Sequence, residues 1–169
     1  MARQPRYDPL EPSAFFDDGQ SARLPVPGTV ARGQLRQDEH FYQGLSRGAP
    51  ATTFPFPIDM KTLERGRDRF DIFCSPCHDR TGGGDGMVVQ RGFTRPPPLF
   101  SEQVRRRPPG HIYQVIAKGF GAMPDYAAQI PPADRWAIVA YVRALQLSQN
   151  VSVGQLSPEE REKLKEAAR

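Results

Sequence analysis

The pentapeptide Cys74-Ser75-Pro76-Cys77-His78 constrains this chain more than any other feature. Two thiols and an imidazole at this spacing allow both sulfurs to bond covalently to one haem while the histidine ligates its iron. These are the only two cysteines among 169 residues. The second Cys pair of a zinc ribbon is therefore missing, and no βαβ pattern surrounds the motif as a thioredoxin-like site requires. A Cys/Cys/His zinc site completed by His40 or His111 is the remaining alternative, although neither histidine stands at the usual ligand spacing. With 18 prolines, 15 glycines and 38% apolar residues, much of the chain is expected as loop or extended backbone. One small domain with appendages fits that composition.

Three zones separate along the chain. Residues 1–57 contain Pro5, Pro9, Pro12, Pro25, Pro27, Pro50, Pro55 and Pro57 without helix or strand periodicity, which predicts an extended arm. Its aromatic residues Tyr7, Phe15, Phe16, Phe41 and Tyr42 suit anchors along a docking partner; the alternative is that the arm folds back over its own domain. Residues 58–147 are expected as the haem domain. Asp59 can cap a helix in which Leu63, Gly66, Phe70 and Phe73 recur at spacings of three and four, leading directly into Cys74. The run Gly82-Gly83-Gly84-Asp85-Gly86 lacks the strand and helix that flank a phosphate loop, and reads as a tight turn. Pro108-Pro109 precedes a short helix, His111 to Lys118, which Gly119 ends. A final helix starts near Pro132, with Asp134 in its first turn. In the tail, 148–169, Ser157-Pro158-Glu159-Glu160 has the N-cap, the N1 proline and the capping-box acid of a short surface helix, with Arg161, Lys163 and Lys165 spaced to pair with Glu159 and Glu162.

The sixth position of the iron is expected at Met123. The segment Gly119-Phe120-Gly121-Ala122-Met123-Pro124 offers a thioether on a loop relaxed by glycine and stiffened by proline, far enough from His78 to reach the opposite haem face, and such a ligand raises the potential relative to a second histidine. Met87 and His111 are the alternatives. Met60 lies at the wrong end of the helix that leads into the attachment motif.

The order of helix, attachment motif, loop, methionine loop and closing helix resembles the class I cytochrome c family. Gly66 and Phe70 stand eight and four residues before Cys74, as in that family, and Tyr141 is similar to the aromatic by which its closing helix crosses the first. The resemblance implies a mainly α class I cytochrome c fold, with a long extended N-terminal arm and a short C-terminal helical tail. It also implies one covalently bound haem c, attached at Cys74 and Cys77, with His78 and Met123 as axial ligands. Pro97-Pro98-Leu99 is similar to the segment whose proline carbonyl holds the proximal imidazole and whose leucine packs on the ring.

The arm carries a narrower likeness. Gln4 to Ser13, Phe15-Phe16-Asp17-Asp18-Gly19 and Pro27 to Gly33, and beyond the arm Arg91-Gly92-Phe93 and Gly119-Phe120-Gly121-Ala122-Met123-Pro124, resemble the monohaem cytochrome subunit of alternative complex III, a bacterial membrane quinol:electron-acceptor oxidoreductase. That resemblance implies one-electron transfer from a multihaem subunit to a downstream cytochrome c or terminal oxidase, with no substrate chemistry in the chain itself. It also implies a place on the periplasmic face of the inner membrane. Relatives commonly have a lipidated cysteine just before this arm, where the present chain has Met-Ala-Arg. A free-standing periplasmic shuttle is the alternative, but it leaves the arm without a purpose. A peroxidase or gas sensor would need an open or openable iron face.

The remaining features exclude more than they assign. The 23 Lys and Arg against 19 Asp and Glu give +4, too weak and scattered to argue for nucleic acid. Arg105-Arg106-Arg107 before Pro108-Pro109 reads as a solvated loop, with docking as the alternative. No stretch approaches the roughly 20 apolar residues of a membrane span. Met1 to Leu10 has no apolar h-region, so the expectation is a processed form or a start set downstream of a signal.

Overall fold

Asp59 stops the extended chain that precedes the helical body. Its backbone is in the β region and its carboxylate accepts from the Thr62 amide at 2.7 Å and the Thr62 hydroxyl at 2.6 Å, satisfying donors that the first turn would leave free. Helix α2 (Met60–Phe73) begins there and buries Gly66 and Phe70. It is preceded by α1 (Glu39–Gln43) and followed at once by α3 (Ser75–His78), α4 (Glu102–Arg105), α5 (Pro109–Lys118), α6 (Pro132–Ser148) and α7 (Pro158–Ala167). Both α5 and α6 open on proline, where its fixed φ suits the first turn and its missing N–H is not needed. The computed structural model describes residues 4–167. The mainly helical architecture is the one expected of a class I cytochrome c domain. Among the described residues no helix is long and apolar enough to cross a membrane.

The core forms where α2 and α5 pack on α6. Trp136, Tyr113, Phe70, Ile130, Ile138 and Val139 are fully buried. The crossing of α2 and α6 depends on Gly66: a Cβ built there would lie 2.0 Å from the carbonyl oxygen of Ala137 and 2.9 Å from Cβ of Tyr141. One turn on, Phe70 meets Tyr141 edge to face at 5.4 Å, and Arg65 grips Asp134 with both nitrogens of its fork at 2.8 and 2.7 Å. The pairing of Gly66 and Phe70 with Tyr141, expected from sequence, is thus the contact that brings the two helices together.

The chain divides into two compact units, one ending at Arg36 and one starting at Gln37. The second unit therefore begins well before the expected boundary at Ile58. Its first residues form α1, capped by Asp38 through the Phe41 amide, and a small hairpin, β1 (Leu45–Ser46) with β2 (Ala49–Pro50). Phe41 and Tyr42, expected as docking anchors, are engaged within this unit. The indole N–H of buried Trp136 donates to the Phe41 carbonyl at 2.9 Å, and the Tyr113 hydroxyl donates to the Tyr42 carbonyl at 3.0 Å. Buried donors need acceptors, and this backbone supplies them. The rings of Phe41, Phe54 and Phe56 pack on the core, and Ala51 is buried in it. Gly110 closes the seam, its amide bonded to the Ala51 carbonyl at 2.9 Å and its Cα too near Gly44 for any side chain. Residues 37–57 fold back on the domain by way of their backbone.

Residues 4–36 form no helix and run as a series of turns, among them those closed by the Glu11, Thr29 and Gln34 amides on Asp8, Val26 and Ala31, and one larger loop. There Pro12 pairs with Gln20, and Arg23 clamps Asp18 at 2.7 Å while lying 4.1 Å over the ring of Phe16. Tyr7, Leu10, Phe15, Leu24 and Val26 are exposed. Positions 1 to 3, at which relatives' lipidated cysteine was weighed, lie outside the described residues. In the tail, Ser157 and Glu160 form the expected reciprocal capping box before α7. Of the expected charge pairs, Lys165 meets Glu162 at 2.6 Å, whereas Arg161 donates instead to the carbonyls of Leu156 and Gly154.

Gly66→Ala tests the crossing. The gain in helix propensity is about 1 kcal/mol, but the new methyl would have to displace backbone rather than a pliable side chain, and overpacking of that kind costs about 1–3 kcal/mol. The expected net outcome is a lower urea midpoint; a raised midpoint would show that α2 and α6 can separate without penalty.

Candidate functional site

The attachment motif lies on the tight turn between α2 and α3. Helix α2 ends with the Cys74 amide still bonded to Phe70, and the amides of Cys77 and His78 both bond to the Cys74 carbonyl. Pro76, near the start of α3, needs no donor there. The Ser75 hydroxyl bonds the Asp71 carbonyl at 2.7 Å and joins the two helices across the turn. Cys74, Cys77 and His78 are consequently gathered on one short helix, all half-buried, and both thiols are free.

The electrostatics suit ligand chemistry. Burial, with a smaller contribution from Cys77, pushes the Cys74 thiol up to about 12. Burial also lowers the affinity of His78 for a proton, against a smaller opposing pull from Asp79, so the imidazole is neutral, the form that binds a metal. Its Nδ1 is buried and makes no hydrogen bond. The expected contact with the carbonyl of Pro97 is not made. Pro97 itself is exposed, and the segment is held instead by the Leu99 amide bonding Gly82 at 2.8 Å and by the approach of the Pro96 carbonyl to Gly84.

The glycine-rich turn is a mould for the motif. The amides of Gly84, Gly86 and Val88 bond the carbonyls of His78, Cys77 and Pro76. A Cβ on Gly86 would come within 2.3 Å of the Pro76 oxygen, and one on Gly84 within 2.4 Å of the Pro96 oxygen. Asp79 starts this turn with φ of +55°, a strained position for a residue with a side chain. Its carboxylate accepts from the Thr81 amide and hydroxyl at 2.6 Å each and from the Asp85 amide at 3.0 Å. Burial alone would raise its pKa. The bonds from Thr81, Asp85 and Gly83 outweigh that and hold it at about 2.

Leu99, Cys74, Tyr126 and Phe73 are each partly buried against the core. Tyr126 lies close enough to both thiols that their charges, after burial, push its hydroxyl up; its ring meets Phe73 at 6.4 Å. Met123 stands three residues earlier on a turn closed by reciprocal bonds with Phe120 at 3.0 Å. Gly119 makes that turn possible, since a Cβ there would meet the Met123 oxygen at 2.6 Å. Met123 is half-buried, whereas Met87 and Met60 are exposed. His111 lies on α5, where burial and then Arg107 lower its pKa. His40 places its ring against Trp136 at 5.5 Å and its Nε2 2.8 Å from the Thr53 carbonyl. Among the described residues no three or more His, Cys, Asp and Glu side chains are grouped to hold a metal.

These residues fit a covalently held haem: two unpaired thiols one turn apart, a neutral imidazole with an orphaned buried nitrogen, and apolar side chains around them. Sequence reasoning missed Tyr126, Asp79 and Arg135. Asp79-Arg80-Thr81 does have an Asx-turn pattern, and Tyr126 directly follows the methionine loop; Arg135, beside Asp134, gives no signal.

Residues 61–142 match the family model described as cytochrome C oxidase, cbb3-type, subunit III. Among solved structures, a chain of the Kuenenia stuttgartiensis reducing HAO-like protein complex is 22% identical, at a TM-score of 0.49, with 63% of this chain and 54% of that chain covered. The present chain thus spans about half the length of that structure. No curated protein matches the sequence.

The Asp79 turn generates a pH-dependent prediction. Its folded pKa, about 2, lies below the ordinary 3.8, so its contribution is present above about pH 4 and is lost as pH falls through about 2. Discounted for solvent screening, that contribution is about 1 kcal/mol. Asp79→Asn should lower the urea midpoint at pH 7, and the gap from the unaltered chain should shrink towards pH 2. An equal gap at both pH values would refer the effect to backbone strain instead.

Proposed function

We propose, from the premise that residues 61–142 form a class I cytochrome c domain, that this chain is the monohaem electron-transfer subunit of a membrane quinol-oxidising complex of the alternative complex III type. A cytochrome c domain transfers single electrons through haem. The finer reading is that the electron comes from a multihaem neighbour and leaves to a downstream cytochrome c or terminal oxidase. The chain works at the periplasmic face of the bacterial inner membrane and is held there through its complex.

The observation that carries the electron-transfer reading is the α2–α3 turn, with its two free thiols and neutral, half-buried His78. Cys74 and Cys77 would hold the haem c, and His78 and Met123 would be the axial ligands. Bound haem supplies a one-electron couple whose potential follows from its axial ligands and burial. The rest of the site orients and encloses: the Gly84–Val88 backbone fixes the His78 helix, Leu99 and Phe73 exclude water, and the Gly119–Met123 turn delivers the thioether. With His78 and Met123 both as ligands, no coordination site would be left for substrate.

The complex-subunit reading draws on residues 4–36. Tyr7, Leu10, Phe15, Leu24, Val26, Val30 and Leu35 are exposed there on a backbone of turns without a helix. A segment that leaves this many apolar side chains in water offers anchors for a partner surface. Phe41 and Tyr42, engaged within the domain, drop out of that set.

Two experiments test these roles. Met123→Ala should abolish the far-red sulfur-to-iron band of the oxidised protein and lower its potential; an unchanged band would move the role to Met87. Deleting residues 1–36 should leave haem incorporation intact while abolishing retention on membranes that contain the complex. Deleting residues 1–57 should in addition destabilise the domain, because it removes the acceptors of Trp136 and Tyr113. Retention of the shorter deletion with unaltered affinity would overturn the docking role of residues 1–36, and failure of the full chain to be retained would point to a free shuttle.

A further inference from the structure

Arg135 is buried, with 6% of its surface exposed. It stands in the first turn of α6, the end of a helix dipole that disfavours a cation. The carboxylate beside it, Asp134, is taken by both nitrogens of the Arg65 fork. Arg135 spends its own donors on neutral oxygens: Nε on the Ile130 carbonyl at 2.8 Å, Nη2 on the Ala127 carbonyl at 3.0 Å and Nη1 on the Tyr113 hydroxyl at 3.1 Å. The guanidinium also lies 5.4 Å from the centre of the Tyr113 ring. A buried charge without a carboxylate is costly. What it secures here is a set of three points, two on the loop before α6 and one on α5.

That loop is the continuation of the Met123 turn. Beyond Pro124 the backbone has one tie back to α5, the Tyr126 amide to the Ile116 carbonyl at 2.9 Å, then local bonds from Gln129 and Ile130 to Tyr126. Side-chain bonds from Arg135 then grip Ala127 and Ile130. Met123 is thus upstream of a segment held at both of its ends. A thioether is among the weaker ligands of haem iron, so its persistence depends on how rarely the loop that carries it opens.

We propose that Arg135 is a positioning residue for the sixth ligand: it pins the Ala127–Ile130 segment to α5 and α6 and so keeps the Met123 loop closed. The inference rests on the reading of Met123 as a ligand. Arg135→Lys keeps the charge but cannot reach three acceptors in a planar fork. Tyr113→Phe removes the hydroxyl that accepts from Arg135 and donates to the Tyr42 carbonyl, and so tests the same brace while keeping the ring. Arg65→Gln is the control, breaking an ion pair on the same helical turn without touching the loop.

The test uses the haem-loaded full chain and imidazole as the competing ligand, followed by loss of the far-red band in the oxidised state, together with carbon monoxide binding to the reduced state. Arg135→Lys should raise imidazole affinity and the carbon monoxide rate at least about tenfold, and Tyr113→Phe should raise both by a smaller factor. Arg65→Gln should leave both unchanged even where it lowers the thermal midpoint. Unaltered ligand access in Arg135→Lys and Tyr113→Phe, or an equal rise in Arg65→Gln, overturns the positioning role. A far-red band that survives Met123→Ala overturns the ligand reading itself, which distinguishes the two failures.

Discussion

The contact between Gly66 and the backbone of Ala137 is the constraint from which the rest of the domain follows. Helix α2 ends at Cys74, from which α3 carries Cys77 and His78, and α6 carries Trp136 and Arg135 near its start. Backbone touching backbone at one glycine fixes the distance and the angle between them more tightly than interlocking side chains could, because no rotamer change can absorb an error. With that crossing set, Phe70 meets Tyr141, and Arg65 reaches Asp134. The position of Cys74 relative to the core is then determined by the length of α2.

A second layer of organisation is made by side chains on α6 that reach backbone carbonyls elsewhere. Gln146 bonds Leu99, Gln149 bonds Thr81, and Arg143 bonds Arg105 and Arg107. The long segment between the haem motif and α5 contains little regular structure, so its own backbone cannot satisfy these oxygens. The closing helix does it for them. Arg105-Arg106-Arg107 is in this light a run whose carbonyls matter to the fold, while the Arg106 side chain pairs with Glu102 on the surface.

Much of this was legible in the sequence because it is written in side-chain pattern. Asp59, Pro132 and the Ser157–Glu160 box each mark a helix start by local chemistry, and Gly66, Phe70 and Tyr141 mark the crossing by spacing. The packing of residues 37–57 was not legible. That segment contributes the carbonyls of Phe41 and Tyr42 to buried donors, and a carbonyl is present at every position whatever the side chain. The Pro97 assignment failed for a related reason, since three consecutive prolines look alike and the register of Pro96 and Leu99 is set by Gly82 and Gly84 across the turn. Arg135 reads as one more charge in a charged first turn until its burial is seen.

The raised pKa of Cys74 bears on the timing of sulfur chemistry. A thiol held at about 12 exposes only about one thiolate in 10⁵ at neutral pH, so in the folded chain this sulfur reacts slowly with oxidants, including those that would join it to Cys77. The same scarcity of thiolate makes it a slow nucleophile. Were haem to be attached at Cys74, the sulfur would react faster while the α2–α3 turn is still open to solvent than after that turn has closed over it.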